Sequence, residues 1–215
     1  MFHEIDYESW DRKEIYQLYD GFTYSITAEL DMTVLRSYMR REHRKFYPLI
    51  CWIITTAVNE DADYRIVKKD GKLGYFDKLH TSYTLRRNAR PHLFTHMVTE
   101  YHDDLDVYYH QFLKDKSLAE AEDRLYYYGE VLQDTVDISV TPDISFQSLS
   151  LCIPASFYQK DPENMRYTPF TTVGRFYERD GRIWLPAAVN FHHAVNDGYH
   201  AEKFFKLLQK QLNSF

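Results

Sequence analysis

Residues 180–200 constrain the fold more than any other stretch of the chain. Asp180-Gly181 marks a tight hairpin, because an Asp-Gly pair tolerates the positive φ that such turns require, and Ile183 to Phe191 then reads as a strand. That strand runs into Phe191-His192-His193-Ala194-Val195-Asn196-Asp197-Gly198-Tyr199-His200. After Gly198, the residues Ala201, Phe204, Phe205, Leu207, Leu208 and Leu212 mark a closing helix. Two adjacent histidines therefore sit where a strand ends.

The other elements follow from periodicity and turn chemistry. Trp10 to Asp20 has helical spacing and stops at Gly21, and Phe22 to Leu30 alternates as a strand with two unlike faces. Asp31 suits the N-cap of a helix through about Glu42. Pro48 suits the first turn of a helix to about Asn59, whose apolar residues on every side predict burial. Lys69-Asp70-Gly71 predicts a hairpin between Tyr64–Lys68 and Lys72–Phe76, and His80–Arg86 and Leu93–Val98 read as strands around an exposed loop with Arg86, Arg87 and Arg90. Asp103 to Ala119 has a helical apolar face, with acidic residues at its start to complement the dipole. Val136–Val140, Ser145–Ile153 and Phe170–Tyr177 complete the expected strands. Helices and strands without regular βαβ alternation predict an α+β protein, a two-layer sandwich of a mixed, largely antiparallel sheet with helices on one face. No repeat or Pro/Gly/Ser-rich linker divides the chain, so residues 1–215 are expected to form a single domain.

Composition excludes several partners. A net charge of −6 argues against nucleic acid, whose phosphates need a basic footprint, and the local run Arg40, Arg41, Arg44 and Lys45 reads as a solvated helix face. The apolar run Pro48–Val58 is too short to span a bilayer, and no secretory signal opens the chain, so a cytoplasmic protein without membrane partners is expected. Cys51 and Cys152 lack metal spacing and read as reduced core residues. The 19 Tyr and 14 Phe exceed what an ordinary core uses, which fits either an apolar ligand pocket or a subunit interface.

The histidine cluster offers chemistry at neutral pH, since an unperturbed imidazole titrates near about 6.5 and can take a proton from a substrate. His192 and His193 point to opposite sides if the strand persists, so one faces a ligand while the other packs. His193 and Asp197 lie four residues apart across a turn, where a carboxylate can order the loop. A metal held by His192, His193 and His200 is the competing reading, although the spacing matches no common zinc motif.

The pattern HHxxxDG, here His192-His193-Ala194-Val195-Asn196-Asp197-Gly198, resembles the signature shared by chloramphenicol acetyltransferases and dihydrolipoamide acyltransferase catalytic domains. Trp10-Asp11-Arg12-Lys13, Lys45-Phe46-Tyr47-Pro48, Glu100-Tyr101-His102-Asp103-Asp104, Tyr128-Gly129-Glu130 and Ser145-Phe146-Gln147-Ser148 resemble chloramphenicol acetyltransferase segments in the same order. The second group normally carries a lipoyl domain and mobile linkers, which residues 1–215 are not expected to include, so the first group is favoured. The resemblance implies a CoA-dependent acyltransferase-like fold, with acetyl-CoA as co-substrate and no metal. It further implies a hydroxylated small-molecule acceptor, chloramphenicol first, antibiotic resistance as the outcome, and a homotrimer with active sites between subunits. By the same resemblance His193 is the general base, Ser148 the oxyanion donor, Asp197 and Arg12 a pair that braces the loop, and Tyr24 and Thr172 acceptor-side contacts. Three positions depart from the family: Leu149-Ser150-Leu151-Cys152 replaces the usual Phe-Asp-Leu-Asn and Asp143 stands where tryptophan is common, which bear on the acceptor and local cofactor contacts more than on the chemistry, and Asn196 replaces a frequent cysteine. Other hydroxylated acceptors, or a non-catalytic binder on the same scaffold, remain open alternatives.

Overall fold

The structure is a computed structural model that describes residues 1–151 and 160–215. Its larger sheet has seven strands. Strand β2 (Thr23–Asp31) pairs antiparallel with one edge of β11 (Arg182–His192), and the other edge of β11 takes β10 (Tyr177–Arg179) and then β9 (Phe170–Val173). Beyond β9 lie β7 (Thr135–Val140), β5 (His80–Arg86) and β6 (Phe94–Thr99). The β9–β7 and β7–β5 pairs are parallel and the rest antiparallel, which makes the sheet mixed. A smaller antiparallel sheet joins β1 (Phe2–Glu4), β4 (Lys72–Phe76), β3 (Ile66–Lys69) and β8 (Met165–Arg166).

The two faces of the large sheet differ because its strands alternate in register. Phe191, Val189, Ala187 and Leu185 of β11 share one face with Ile138 and Val136 of β7 and with Tyr83 and Leu85 of β5, and all are buried in the main core. Three helices pack there: α3 (Phe46–Asn59), α4 (Leu105–Glu120) and α5 (Gly198–Leu212), while α1 (Lys13–Tyr19) and α2 (Thr33–Arg41) lie nearer the edges. The opposite face carries Thr23, Ser25 and Thr27 of β2, Asn190 and His192 of β11, Thr172 of β9 and Asp137 of β7. It is a polar surface, and the α+β sandwich with helices on one face is as expected.

Several local expectations shift for identifiable reasons. Helix α3 is buried along most of its length, but it starts two residues before Pro48. Asp31 ends β2 instead of occupying the N-cap position, yet its carboxylate still accepts from the Thr33 amide at 2.9 Å. Arg87 is buried, not exposed, because its Nε donates to Phe94 O and Thr95 Oγ1, both at 3.1 Å, across the β5–β6 hairpin. The expected strand Ser145–Ile153 is irregular through Leu151, and the remainder, with Cys152, falls outside the described residues. This segment crosses the polar face, held by side chains instead of a strand ladder: Leu149 N donates to Thr27 Oγ1 and Asn190 Nδ2 donates to Leu151 O, both at 3.2 Å. Among the described residues no helix is long and apolar enough to cross a membrane.

Candidate active site

The loop between β11 and α5 is held from the far end of the chain. Arg12 donates from Nε to the Ala194 carbonyl at 3.0 Å, from Nη2 to the His193 carbonyl at 3.4 Å, and from Nη1 to Asp197 Oδ2 at 3.0 Å. A planar guanidinium spreads its donors over three nitrogens in a fixed fork, so it holds three separated acceptors in a set geometry that a lysine's single nitrogen does not provide. The Arg12–Asp197 pair expected from sequence is therefore in place, and it fixes the main chain that carries His193.

Asp197 is also the N-cap of α5, accepting from the Tyr199 amide at 3.0 Å. One turn on, the buried His200 places Nδ1 2.9 Å from Asp197 Oδ1 and Nε2 3.3 Å from Asp63 Oδ2. Burial alone would raise the Asp197 pKa, but hydrogen bonds from His200 and Arg12 outweigh it and hold the carboxyl near about 2. Burial likewise disfavours a charged His200, yet its bonds to Asp63 and Asp197 prevail and raise its pKa. Asn196 completes the brace by donating to the Asp63 carbonyl at 3.0 Å. Sequence reading singled out neither the Asp63 contact nor the bridging role of His200, because Asp63 is remote in the chain.

The two adjacent histidines occupy different environments. His192 lies on the polar face, 4% exposed and edge-on to Tyr167, and burial followed by the charge of His193 lowers its pKa to about 4. A neutral, packed imidazole results. His193 turns the other way: its amide donates to the Phe22 carbonyl at 2.8 Å, its ring stacks on Tyr19 at 4.1 Å between centroids, and it meets Tyr24 edge-on at 5.4 Å. Its Nδ1 is buried without a partner, whereas Nε2 is not among the buried unpartnered atoms. Tyr24 also stacks on Phe191, and burial pushes its hydroxyl pKa to about 12.

Ser148 and Thr172 stand elsewhere. Thr172 pairs with Ala188, which pairs with Thr27, so Thr172 and Thr27 share one row of the polar face, and Thr27 Oγ1 anchors the amide of Leu149, the residue after the exposed Ser148. His193 is anchored at Phe22, five residues before Thr27 on β2, a distance of roughly 16 Å at about 3.3 Å per residue. One copy of the chain therefore unites His193, Arg12, Asp197 and Tyr24, but separates them from Ser148 and Thr172 by position and by face. The polar face also holds a cavity of about 560 Å³, bordered by Thr23, Asn190 and His192 on one side and by Ser82, Asp137 and Arg166 on the other. Its size suits a drug-like molecule.

The chain is similar to known proteins along nearly its whole length. The chain is 33% identical over 212 residues to a chloramphenicol acetyltransferase of Staphylococcus aureus, covering 97% of each, and 32% identical over 219 residues to one of Clostridium perfringens, covering 100% of this chain and 96% of the relative. A solved chloramphenicol acetyltransferase superposes with a TM-score of 0.82 at 24% identity, covering 99% of this chain and 100% of that one. A dihydrolipoamide acetyltransferase of Azotobacter vinelandii shares the fold at a TM-score of 0.67 and 14% identity, with 100% and 90% covered. The sequence model of the chloramphenicol acetyltransferase family matches residues 1–209, and with the arginine-held histidine loop this establishes that the chain belongs to that family.

Proposed function

We propose that this chain acts in the cytoplasm as a single domain, acetylating the primary hydroxyl of chloramphenicol with acetyl-CoA and so conferring resistance. His193 Nε2 takes the proton of the acceptor hydroxyl while its oxygen attacks the thioester carbonyl carbon. The resulting oxyanion accepts a hydrogen bond from Ser148 Oγ, and Thr172 orders the same side of the site. Collapse breaks the carbon–sulfur bond, and the departing thiolate recovers the proton from His193, releasing acetylated acceptor and coenzyme A. No acyl-enzyme forms. The alcohol, with a pKa far above 7, needs a base held in place, and the observation that carries this reading is the Arg12 clasp on the carbonyls of His193 and Ala194.

The separation of His193 from Ser148 supports a site completed by a second copy, and we extend the proposal to a homotrimer with its active sites between subunits. In that arrangement the base of one subunit meets the oxyanion donor of its neighbour. Two features beside the base favour a covered surface. Strand β2 pairs with β11 along one edge alone among the described residues, and Leu18, Phe22 and Ile26 leave 68%, 61% and 37% of their surfaces exposed nearby.

The test is thiol release from acetyl-CoA in the presence of chloramphenicol, with His193→Ala and Ser148→Ala assayed singly and after refolding together. Each variant is expected to be inactive or nearly so, and the mixture to regain activity by pairing intact halves. A mixture no more active than its parts removes the shared site, while full activity in His193→Ala removes the mechanism.

A further inference from the structure

The cavity on the polar face is not a plain apolar pocket. Its border includes an ion pair, Arg166 Nη2 to Asp137 Oδ2 at 2.8 Å, with side chains only 21% and 22% exposed, and Arg166 Nη1 also donates to Thr135 Oγ1 at 2.8 Å. Beside them His96 stacks on Tyr126 at 5.0 Å, and burial lowers its pKa, with Asp137 and Arg166 exerting smaller opposite effects. Ser82 lies directly opposite Asp137 in the β5–β7 register. The rest of the lining is mixed: Val98, Leu132 and Phe170 are apolar, while Glu130, Lys160 and Asn164 add further polar and charged groups.

We propose that Asp137 and Arg166 set acceptor specificity by reading an amide, or a similarly adjoining donor and acceptor, on the part of the alcohol remote from the acetylated hydroxyl; this rests on the acetyl-transfer reading above. A carboxylate can only accept hydrogen bonds and a guanidinium can only donate them. Side by side in a confined cavity, they match a ligand whose N–H and C=O face the same way. An apolar ligand of equal shape strips water from both charges and returns nothing, and a buried polar group left unmet is penalised more heavily than a met one is rewarded. The apolar side chains of Val98, Leu132 and Phe170 accommodate a ring, and the Asp137–Arg166 pair reads the linkage that carries it. This places selection on β7 and β8, elements that hold none of His193, Ser148, Arg12 or Asp197.

The experiment compares two primary alcohols of matched length, N-hydroxyethyl benzamide and phenylbutanol, in which the amide is replaced by two methylenes. With wild-type protein, kcat/KM is expected to favour the amide by about 10- to 100-fold, the range that one well-met polar pair provides. In Asp137→Leu/Arg166→Leu, which removes both charges together so that neither is stranded, that ratio should fall at least about tenfold through KM for the amide, with kcat for phenylbutanol retained. Should the leucine variant melt below the assay temperature, Asp137→Asn/Arg166→Gln removes both charges while keeping polar groups, and is expected to lose part of the preference. An unchanged ratio in a folded variant overturns the proposal. If neither alcohol is acetylated, their inhibition of chloramphenicol acetylation supplies the ratio. If chloramphenicol is not acetylated either, the catalytic reading fails, and calorimetric binding of the two alcohols to wild type and variant still decides whether the pair selects the amide.

Discussion

Replacing Arg12 with alanine probes the link between the two ends of the chain most directly. The substitution removes three hydrogen bonds, at 3.0 Å to Ala194 O, 3.0 Å to Asp197 Oδ2 and 3.4 Å to His193 O, from a guanidinium only 11% exposed. A charge-assisted hydrogen bond contributes about 1.5–3 kcal/mol, but these three share one side chain, and the 3.4 Å contact is weak. Asp197 is 32% exposed and keeps its bonds from His200 and the Tyr199 amide, so water and those partners relieve much of the stranded charge. The net loss should be about 2–3 kcal/mol, against the roughly 3–5 kcal/mol of a fully buried pair. For a chain of this size each kcal/mol moves Tm by about 2–4 °C, so calorimetry should find Arg12→Ala melting about 5–10 °C lower. Once the His193 carbonyl is untethered, the base is misplaced, and kcat/KM should fall about 10- to 100-fold. The acid limb carries a sign of its own. The folded Asp197 pKa lies near about 2, below its ordinary 3.8, so its contribution is present above that ordinary value and disappears as pH falls through the folded one. The gap in Tm between wild type and variant should therefore be full above pH 3.8 and narrow toward pH 2. A Tm within about 1 °C of wild type at neutral pH, with unaltered kcat/KM, would refute the reasoning.

The same geometry sets expectations at other positions. Ser148→Ala should lower kcat by about 100-fold or more, near the 3 kcal/mol of one oxyanion donor, with KM for acetyl-CoA little changed in steady-state assays. His200→Gln should destabilise the protein most at acidic and neutral pH: a raised folded pKa means the contribution is full below the ordinary histidine value and lost as pH rises through the folded one, so wild-type and variant melting curves should converge toward alkaline pH. At Gly174 an added Cβ would lie 2.8 Å from Ile144 O and 2.9 Å from both Phe146 Cε1 and Pro186 Cγ, so Gly174→Ala should displace the segment leading to Ser148 and reduce kcat more than it reduces helical content by circular dichroism. Retained kcat in that variant would show that the close approach does not position Ser148.

Local chemistry made the hairpins and helices legible in advance. Asp70-Gly71 and Asp180-Gly181 adopt positive φ at both turn positions, as only such residues do readily, and the alternation of β2 marked a strand with two unlike faces. Residues 145–151 suit a strand by composition, but the hydrogen bonds that hold the segment come from the side chains of Thr27 and Asn190, contacts that its local sequence does not encode. The buried Arg87 escaped notice because a charged side chain in a loop is usually solvated, and its acceptors come from the opposite strand of the hairpin.

By itself the sequence determined the α+β class, the strand that ends beside the two histidines, and, through the resemblance of its motifs, the family and the pairing of Arg12 with Asp197. Those follow from short-range periodicity, turn residues and recognisable segments, all of which are written locally. Tertiary structure decided which residues can act together. It set His192 into a packed, neutral site and His193 against Tyr19, bridged Asp197 to Asp63 through His200, and placed Ser148 on the far face, about five strand residues from the base. The reason is geometric: a strand's period assigns its side chains to two faces, but only the pairing of distant strands decides what stands beside them, and that register depends on contacts far apart in the chain.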